Sequence, residues 1–287
     1  MKTLFRADSS STIGLGHIMR DLVLAQELEG EIIFACQALQ GAMIERIPYE
    51  VRILKTNDAD ELIALIKSLH VNVLVIDHYS IDAHFERQIK ETTGITILSF
   101  DDTYTPHYCD SLLNPNLYAD ASRYENLVPK GCKLRLSTPL IREEFKEEKK
   151  QEREKIYDVL IAMGGSDASN LTLEILKTLP KSLHVSILTT TANAHLPELK
   201  NYVKTVPNIA LHVNSNEVAK IMHQSKLAIV TPSGMVQEVL FMALPFIAIK
   251  VAVNQDDMFA YLKQQGYAVL KEWNASSFTQ LYHTYAR

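Results

Sequence analysis

Apolar and polar positions follow one rhythm along this chain, and it runs twice. In the first half, Leu4-Phe5 end a short apolar run, Glu31–Cys36 and Val51–Leu54 read as strands, and Ala59–Leu69 sets Leu62, Leu65, Ile66 and Leu69 on one helical stripe. Val71–Asp77 and Ile95–Phe100 are apolar on both faces, which suits central parallel strands covered by helices. These two runs end in acids, Asp77 and then Asp101-Asp102, and the carboxyl ends of such strands are where open α/β sheets bind ligands. The order β-α-β-α-β-α-β predicts a doubly wound sheet for roughly the first 135 residues.

A charged stretch then interrupts the pattern. Pro139 is followed by REEFKEEKKQEREK, Arg142 to Lys155, which reads as a solvated helix or linker. It suggests domains at 1–137 and 156–287 with a connector over 138–155. Beyond it, Tyr157–Met163 is a buried-strand pattern that runs into Gly164-Gly165-Ser166-Asp167, and Asn170–Leu179 is helical. Ser182–Thr189, Asn208–Val213 and Lys226–Thr231 add strands, the last leading into Pro232-Ser233-Gly234-Met235. Ser233 is placed there to cap a helix that carries Glu238 one turn in. Leu244–Val253 is a further strand, with Pro245 near its start where a missing N–H is tolerated. Asn254-Gln255-Asp256-Asp257 opens a helix over Met258–Gln265 that Gly266 ends. The fold class expected is α/β, as two doubly wound Rossmann-like domains facing a cleft.

Composition limits the partners. With 287 residues, 47% hydrophobic and 22% charged, the chain has the make-up of a globular protein with a sizeable core. A formal charge of -5 argues against nucleic acid, which calls for a concentrated basic face, yet leaves room for one nucleotide held by local donors. Cys36, Cys109 and Cys132 are too few and scattered for a disulfide framework or a zinc site, and read as small buried hydrophobes. Arg6 and Asp8 break the N-terminal apolar run before it forms a signal-peptide core, and no run reaches membrane-span length. A cytoplasmic protein without a membrane partner is expected.

The chemistry concentrates between Asp8 and His17. A Gly-x-Gly turn, Gly14 and Gly16, opening a helix leaves backbone N–H groups available to an anionic group. His17 stands at that opening, where a helix N-terminus disfavours the imidazolium and favours the neutral ring a general base needs. From the residues alone it is a base, a cap or a packed ring. Gly164-Gly165 is either a second phosphate turn or a tight βα turn. His78 is a second candidate base, although Asp77-His78-Tyr79 could equally be a strand-end turn with Asp77 capping the next helix. Asp101-Asp102 suggests a metal pair, but adjacent acids after a strand diverge and no third ligand accompanies them. His70, His84, His184, His195, His212, His223 and His283 have no partner at metal-ligand spacing. No metal and no cofactor are expected.

The string RADSSSTIGLGHIMRDLVLA, Arg6 to Ala25, together with IDHY (Ile76–Tyr79), SFDD (Ser99–Asp102), LIREEF (Leu140–Phe145), MGG (Met163–Gly165) and NQ (Asn254-Gln255), resembles the PseG family. These are the nucleotide-sugar hydrolases of pseudaminic acid biosynthesis. That family removes UDP from UDP-2,4-diacetamido-2,4,6-trideoxy-β-L-altropyranose and has the glycosyltransferase B architecture of MurG. The resemblance implies a UDP-sugar substrate in the cleft, a monomer, and His17 as the catalytic base. It puts Arg6, Gly14, Gly16, Tyr79, Asn254 and Gln255 on the sugar side. Gly164, Gly165, Ser233 and Gly234 fall on the diphosphate, and Glu238 on the ribose. Arg142, in LIREEF, is left open between structure and site. The reaction implied is metal-independent attack of water on the anomeric carbon with inversion. A glycosyltransferase of the same architecture and a non-catalytic nucleotide-sugar binder are the alternatives.

Overall fold

A computed structural model describes residues 1–10, 13–14, 16–42 and 44–285. Ser11, Thr12 and Leu15 of the Gly-rich loop lie outside the described residues. The chain divides into two compact units, Met1–Leu140 and Ile141–Arg287.

In the first unit seven strands, β1 (Lys2–Ala7), β2 (Glu31–Gln37), β3 (Glu50–Leu54), β4 (Val73–Asp77), β5 (Thr96–Phe100), β6 (Ser111–Asn114) and β7 (Lys133–Leu136), form one sheet in the order 3-2-1-4-5-6-7. Every pairing is parallel. Helices α1 (Gly16–Glu27), α2 (Ala59–Leu69) and α3 (Ala83–Thr93) cover its faces. Successive residues of β1 face opposite ways: Leu4 joins Ile33, Leu74, Leu62 and Ile89, while Phe5 joins Phe34, Val75, Ile18 and Leu24. Burying a side chain of this size contributes about 1.5–3 kcal/mol. A one-residue slip of β1 would exchange the two faces, so the core fixes the register that pairs Ala7 with Asp77.

The second unit carries β8 (Tyr157–Ala162), β9 (Val185–Thr189), β10 (Ile209–Val213), β11 (Ser225–Val230), β12 (Phe246–Ile249) and β13 (Ala268–Leu270) in the order 10-9-8-11-12-13, again all parallel. Its helices are α4 (Glu143–Glu148), α5 (Leu171–Thr178), α6 (Leu196–Thr205), α7 (Val218–His223), α8 (Gly234–Phe241), α9 (Asp256–Gln264) and α10 (Ala275–Tyr285). The stretch read as a connector, 138–155, is no free linker. Residues up to Leu140 close the first unit, and α4 belongs to the second. Phe145 is fully buried, and the Lys149 ammonium donates to the Phe241 carbonyl at 2.6 Å. Glu148 accepts from Arg153 at 2.7 Å. One apolar residue and a few pairings anchor what is otherwise a polar run.

Candidate active site

In the first unit, strand order brings together acids that are distant in the chain. β1 and β4 are neighbours, and β5 lies beside β4. Asp77 therefore ends its strand next to Ala7, and Asp102 follows the adjacent strand. Gly14 makes the turn into α1 at φ +84°, a conformation that an L side chain rarely adopts, and its N–H donates to the Ser10 carbonyl at 2.9 Å. Gly16 starts the helix with its backbone exposed, and α1 then directs His17 and Arg20 toward Asp77.

The side chains close into a ring of contacts. His17 Nδ1 lies 2.6 Å from Asp77 Oδ1. The Arg20 guanidinium donates to both Asp77 oxygens at 2.5 Å and to Asp102 Oδ2 at 2.8 Å, with its plane over Phe100. The Tyr79 hydroxyl donates to Asp102 Oδ1 at 3.0 Å, and the Tyr79 ring stands edge-on to His17 at 4.6 Å. His17 and Asp77 are buried, whereas Tyr79 is exposed. With Nδ1–H directed at Asp77, Nε2 is the ring nitrogen left to take a proton.

Charge distributes unevenly among these acids. Burial alone would raise the Asp77 carboxyl, but Arg20 and His17 hold it below the ordinary carboxylate range. Asp21, next along α1, is fully buried, and neither of its oxygens has a hydrogen-bond partner among the described residues. Burial first, and the Asp77 charge second, push its carboxyl well above the usual range. With Arg20 donating to both Asp77 oxygens, Asp21 is the acid that holds its proton the more tightly.

A second network mirrors the first across the same pair of strands. Asp8, just after β1, accepts from Arg6 Nη1 at 2.7 Å and Nη2 at 2.8 Å, from the Gln37 N–H at 2.7 Å, and from His78 Nε2 at 3.0 Å. Burial opposes its charge, yet His78, Arg6 and Gln37 hold its carboxyl far below the ordinary range. Each strand end thus supplies an acid to the histidine that follows the other. Arg6, expected on the sugar side, is 1% exposed and also donates to Asn57 at 2.8 Å, so its guanidinium ties Asp8 to Asn57. His78 is not free to act as a base, because its Nδ1 accepts from the Ser80 N–H at 3.3 Å. Asp77 does not cap the following helix either. Asp82 does, accepting from the Phe85 N–H at 2.9 Å.

Asp101 and Asp102, adjacent in sequence, have different roles. Asp101 accepts from the Thr103 N–H at 2.8 Å and folds the loop, while Asp102 enters the ring around Arg20. Behind that loop the buried His107 lies 2.8 Å from Glu86, with Asp101 at 3.9 Å. Burial would lower its pKa, but Asp101 and Glu86 bring it up from 6.5 to about 9. A folded pKa above the unfolded value stabilises fully below about 6.5, and this contribution is lost as pH rises through about 9. Stability against thermal unfolding should therefore fall between these limits, by up to about 3 kcal/mol, more in the wild type than in His107→Gln. Parallel pH slopes for the two proteins would contradict the charge assigned to His107. Among the described residues no group of three or more His, Cys, Asp or Glu could hold a metal ion.

The second unit separates its two glycine turns. Gly164, at φ +89°, and Gly165 are exposed after β8, but the helix that follows is already capped. Both Asp167 oxygens accept from its first turn, from the Leu171 N–H at 2.9 Å and the Thr172 N–H at 3.0 Å. The start of α5 therefore does not offer the anion site expected of a Gly turn and helix; only the loop backbone remains available. Helix α8 differs. Ser233 holds the N-cap position without a side-chain hydrogen bond to the helix, its hydroxyl lying 3.0 Å from that of Thr231, and Gly234 is exposed. Glu238, one turn in, is paired bidentately with Arg142. Asn254 is exposed at the loop before α9, whereas the Gln255 side chain accepts from the Val251 N–H at 2.8 Å and shapes the turn. Arg20 and Asp21 carry no sequence pattern as site residues. Their signal is only their spacing from His17, at i+3 and i+4, on one helix face.

No protein-family model matches the chain. Solved structures share its fold at low identity. MurG of Acinetobacter baumannii superposes with a TM-score of 0.66 and 13% identity, over 99% of this chain and 90% of that one. Anabaena Alr3699/HepE in complex with UDP-glucose gives 0.64 and 10%, over 99% and 89%. Two parallel sheets with alternating helices, shared with these proteins, place the fold in the glycosyltransferase B class. Sequence narrows the class. The UDP-2,4-diacetamido-2,4,6-trideoxy-β-L-altropyranose hydrolase of Campylobacter jejuni is 47% identical over 271 residues, 94% of this chain and 98% of that protein. The chain belongs to this hydrolase family and is an enzyme acting on a nucleotide sugar. The Bacillus subtilis spore coat polysaccharide biosynthesis protein SpsG is more distant, at 23% identity over 92% of this chain and 81% of that protein.

Proposed function

We propose that the enzyme hydrolyses UDP-2,4-diacetamido-2,4,6-trideoxy-β-L-altropyranose, the substrate in the name of its Campylobacter relative, releasing UDP and the free sugar. The observation that supports this reading is the buried His17–Asp77 pair, braced by Arg20, in which Nδ1 faces the carboxylate and Nε2 is left for the role of base. Water attacks the anomeric carbon, its proton passes to His17 Nε2, and the bond from that carbon to the diphosphate oxygen breaks. The configuration inverts because attack and departure occupy opposite faces. Glycosidases pair two carboxylates because an alkoxide leaves poorly. A diphosphate leaves already ionised, so one base suffices when backbone N–H groups stabilise the departing charge. The uncapped start of α8, with Ser233 and Gly234, is the better candidate for that task, with the exposed Gly164-Gly165 backbone beside it in the proposal and Glu238 on the ribose. On the sugar side, Tyr79 and Asn254 orient the ring or the water, and the Gly14 and Gly16 backbone allows close approach. The reaction needs no metal in this scheme, since Asp101 and Asp102 are committed to the loop and to Arg20. A monomer working in the cytoplasm as part of pseudaminic acid synthesis completes the proposal.

Incubating the protein with this nucleotide sugar and no acceptor tests the function. UDP should be released catalytically. Release only when an acceptor sugar is added would indicate a transferase, and tight binding without turnover a binding protein.

A further inference from the structure

The role left open for Arg142 has a geometric answer. Its Nε donates to Glu238 Oε1 at 2.7 Å and its Nη2 to Oε2 at 3.1 Å, while Nη1 lies 2.6 Å from Glu144 and the guanidinium sits over the Phe145 ring. All three guanidinium nitrogens are thus committed within the second unit, from the residue that opens α4. Phe145 is itself fully buried, so the platform under the guanidinium is fixed. Glu238 would otherwise be a long side chain with three free rotations. A planar fork on both oxygens sets the carboxylate plane as well as its position, which a point charge cannot do. Each oxygen keeps a second lone pair for a further donor. Glu144 adds a consequence. Burial raises its carboxyl, Arg142 lowers it and Glu238 raises it again, so the guanidinium is the charge that lets two carboxylates stand together.

We propose that Arg142 is a positioning residue that sets the discrimination of the site for a nucleoside diphosphate with an intact ribose diol, by holding the Glu238 carboxylate in one plane. This rests on Glu238 being the ribose acceptor. A carboxylate in a fixed plane accepts from a vicinal diol only in one orientation, so loss of the fork costs the diol contact and leaves the diphosphate contacts alone.

Calorimetric titration of the whole protein with UDP and with 2′,3′-dideoxy-UDP separates the two claims. The wild type should prefer UDP by about tenfold or more, the value of a hydrogen bond to a charged group. Arg142→Met and Arg142→Lys should each reduce the preference to about twofold while affinity for 2′,3′-dideoxy-UDP is unchanged, which also reports that the variants are folded. Lysine fails with methionine because one ammonium cannot span both oxygens. Glu238→Ala is the control. If it keeps the preference, the ribose reading of Glu238 fails. If it abolishes the preference while both Arg142 variants keep it, that reading survives and the role given to Arg142 is overturned. Equal loss of both ligands in the Arg142 variants makes the residue merely structural and also overturns it.

Discussion

His17→Ala should lower kcat by about 10²- to 10⁴-fold, the range of a positioned general base. Affinity for UDP should stay within about threefold. The separation follows from where the residue sits. His17 is on the first unit's ring of contacts, whereas the groups proposed for UDP, namely Gly164-Gly165, Ser233, Gly234 and Glu238, belong to the second unit. The fold should tolerate the change. Arg20 alone still donates to both oxygens of Asp77, so no buried charge is orphaned. Steady-state kinetics with titration of UDP checks both halves. Activity within tenfold of wild type would remove His17 as the base.

Asp77→Asn should be almost as damaging, about 10²- to 10³-fold in kcat, for a different reason. Asp77 accepts from Nδ1 and so keeps the proton off Nε2. An amide can present its NH2 to Nδ1 instead, and then the proton sits on Nε2, the nitrogen that has to accept one. The substitution also takes away the charge that Arg20 neutralises, leaving the guanidinium with Asp102 as its ionic partner. Both variants lose rate, but only Asp77→Asn keeps an imidazole in the site. Nitrogen NMR of a His17-resolved sample should show the proton moving from Nδ1 to Nε2 in the variant. An unchanged tautomer with unchanged rate would mean that Asp77 does not orient the ring.

Sequence reveals the helix that carries His17 but not what surrounds the ring. The Gly14-x-Gly16 turn and the apolar stripe of α1 are local, and local pattern also locates the buried strands, because hydrophobic runs bounded by turns need no tertiary knowledge. Short edge strands escape such reading. β7, KLRL, is half charged and largely exposed, and β13 has three residues. The acids around His17 escape it for a deeper reason. Asp77 and Asp102 come together only because β4 lies between β1 and β5, and strand order is a property of the whole sheet. Arg6 illustrates the converse error. A charged residue inside a motif looks like a ligand contact, yet it is buried on Asp8, and burial cannot be read from identity alone. The Gly164-Gly165 turn misleads in the same way, since nothing local says that Asp167 folds back onto the first turn of α5.

In the proposed reaction a base in the first unit directs water to carbon and not to phosphorus. Hydrolysis of UDP-2,4-diacetamido-2,4,6-trideoxy-β-L-altropyranose in oxygen-18 water, followed by mass spectrometry of both products, tests it most directly. The label should appear in the free sugar, with none in UDP. Label in UDP would mean attack on phosphorus and would rule out water delivered by His17 to the anomeric carbon.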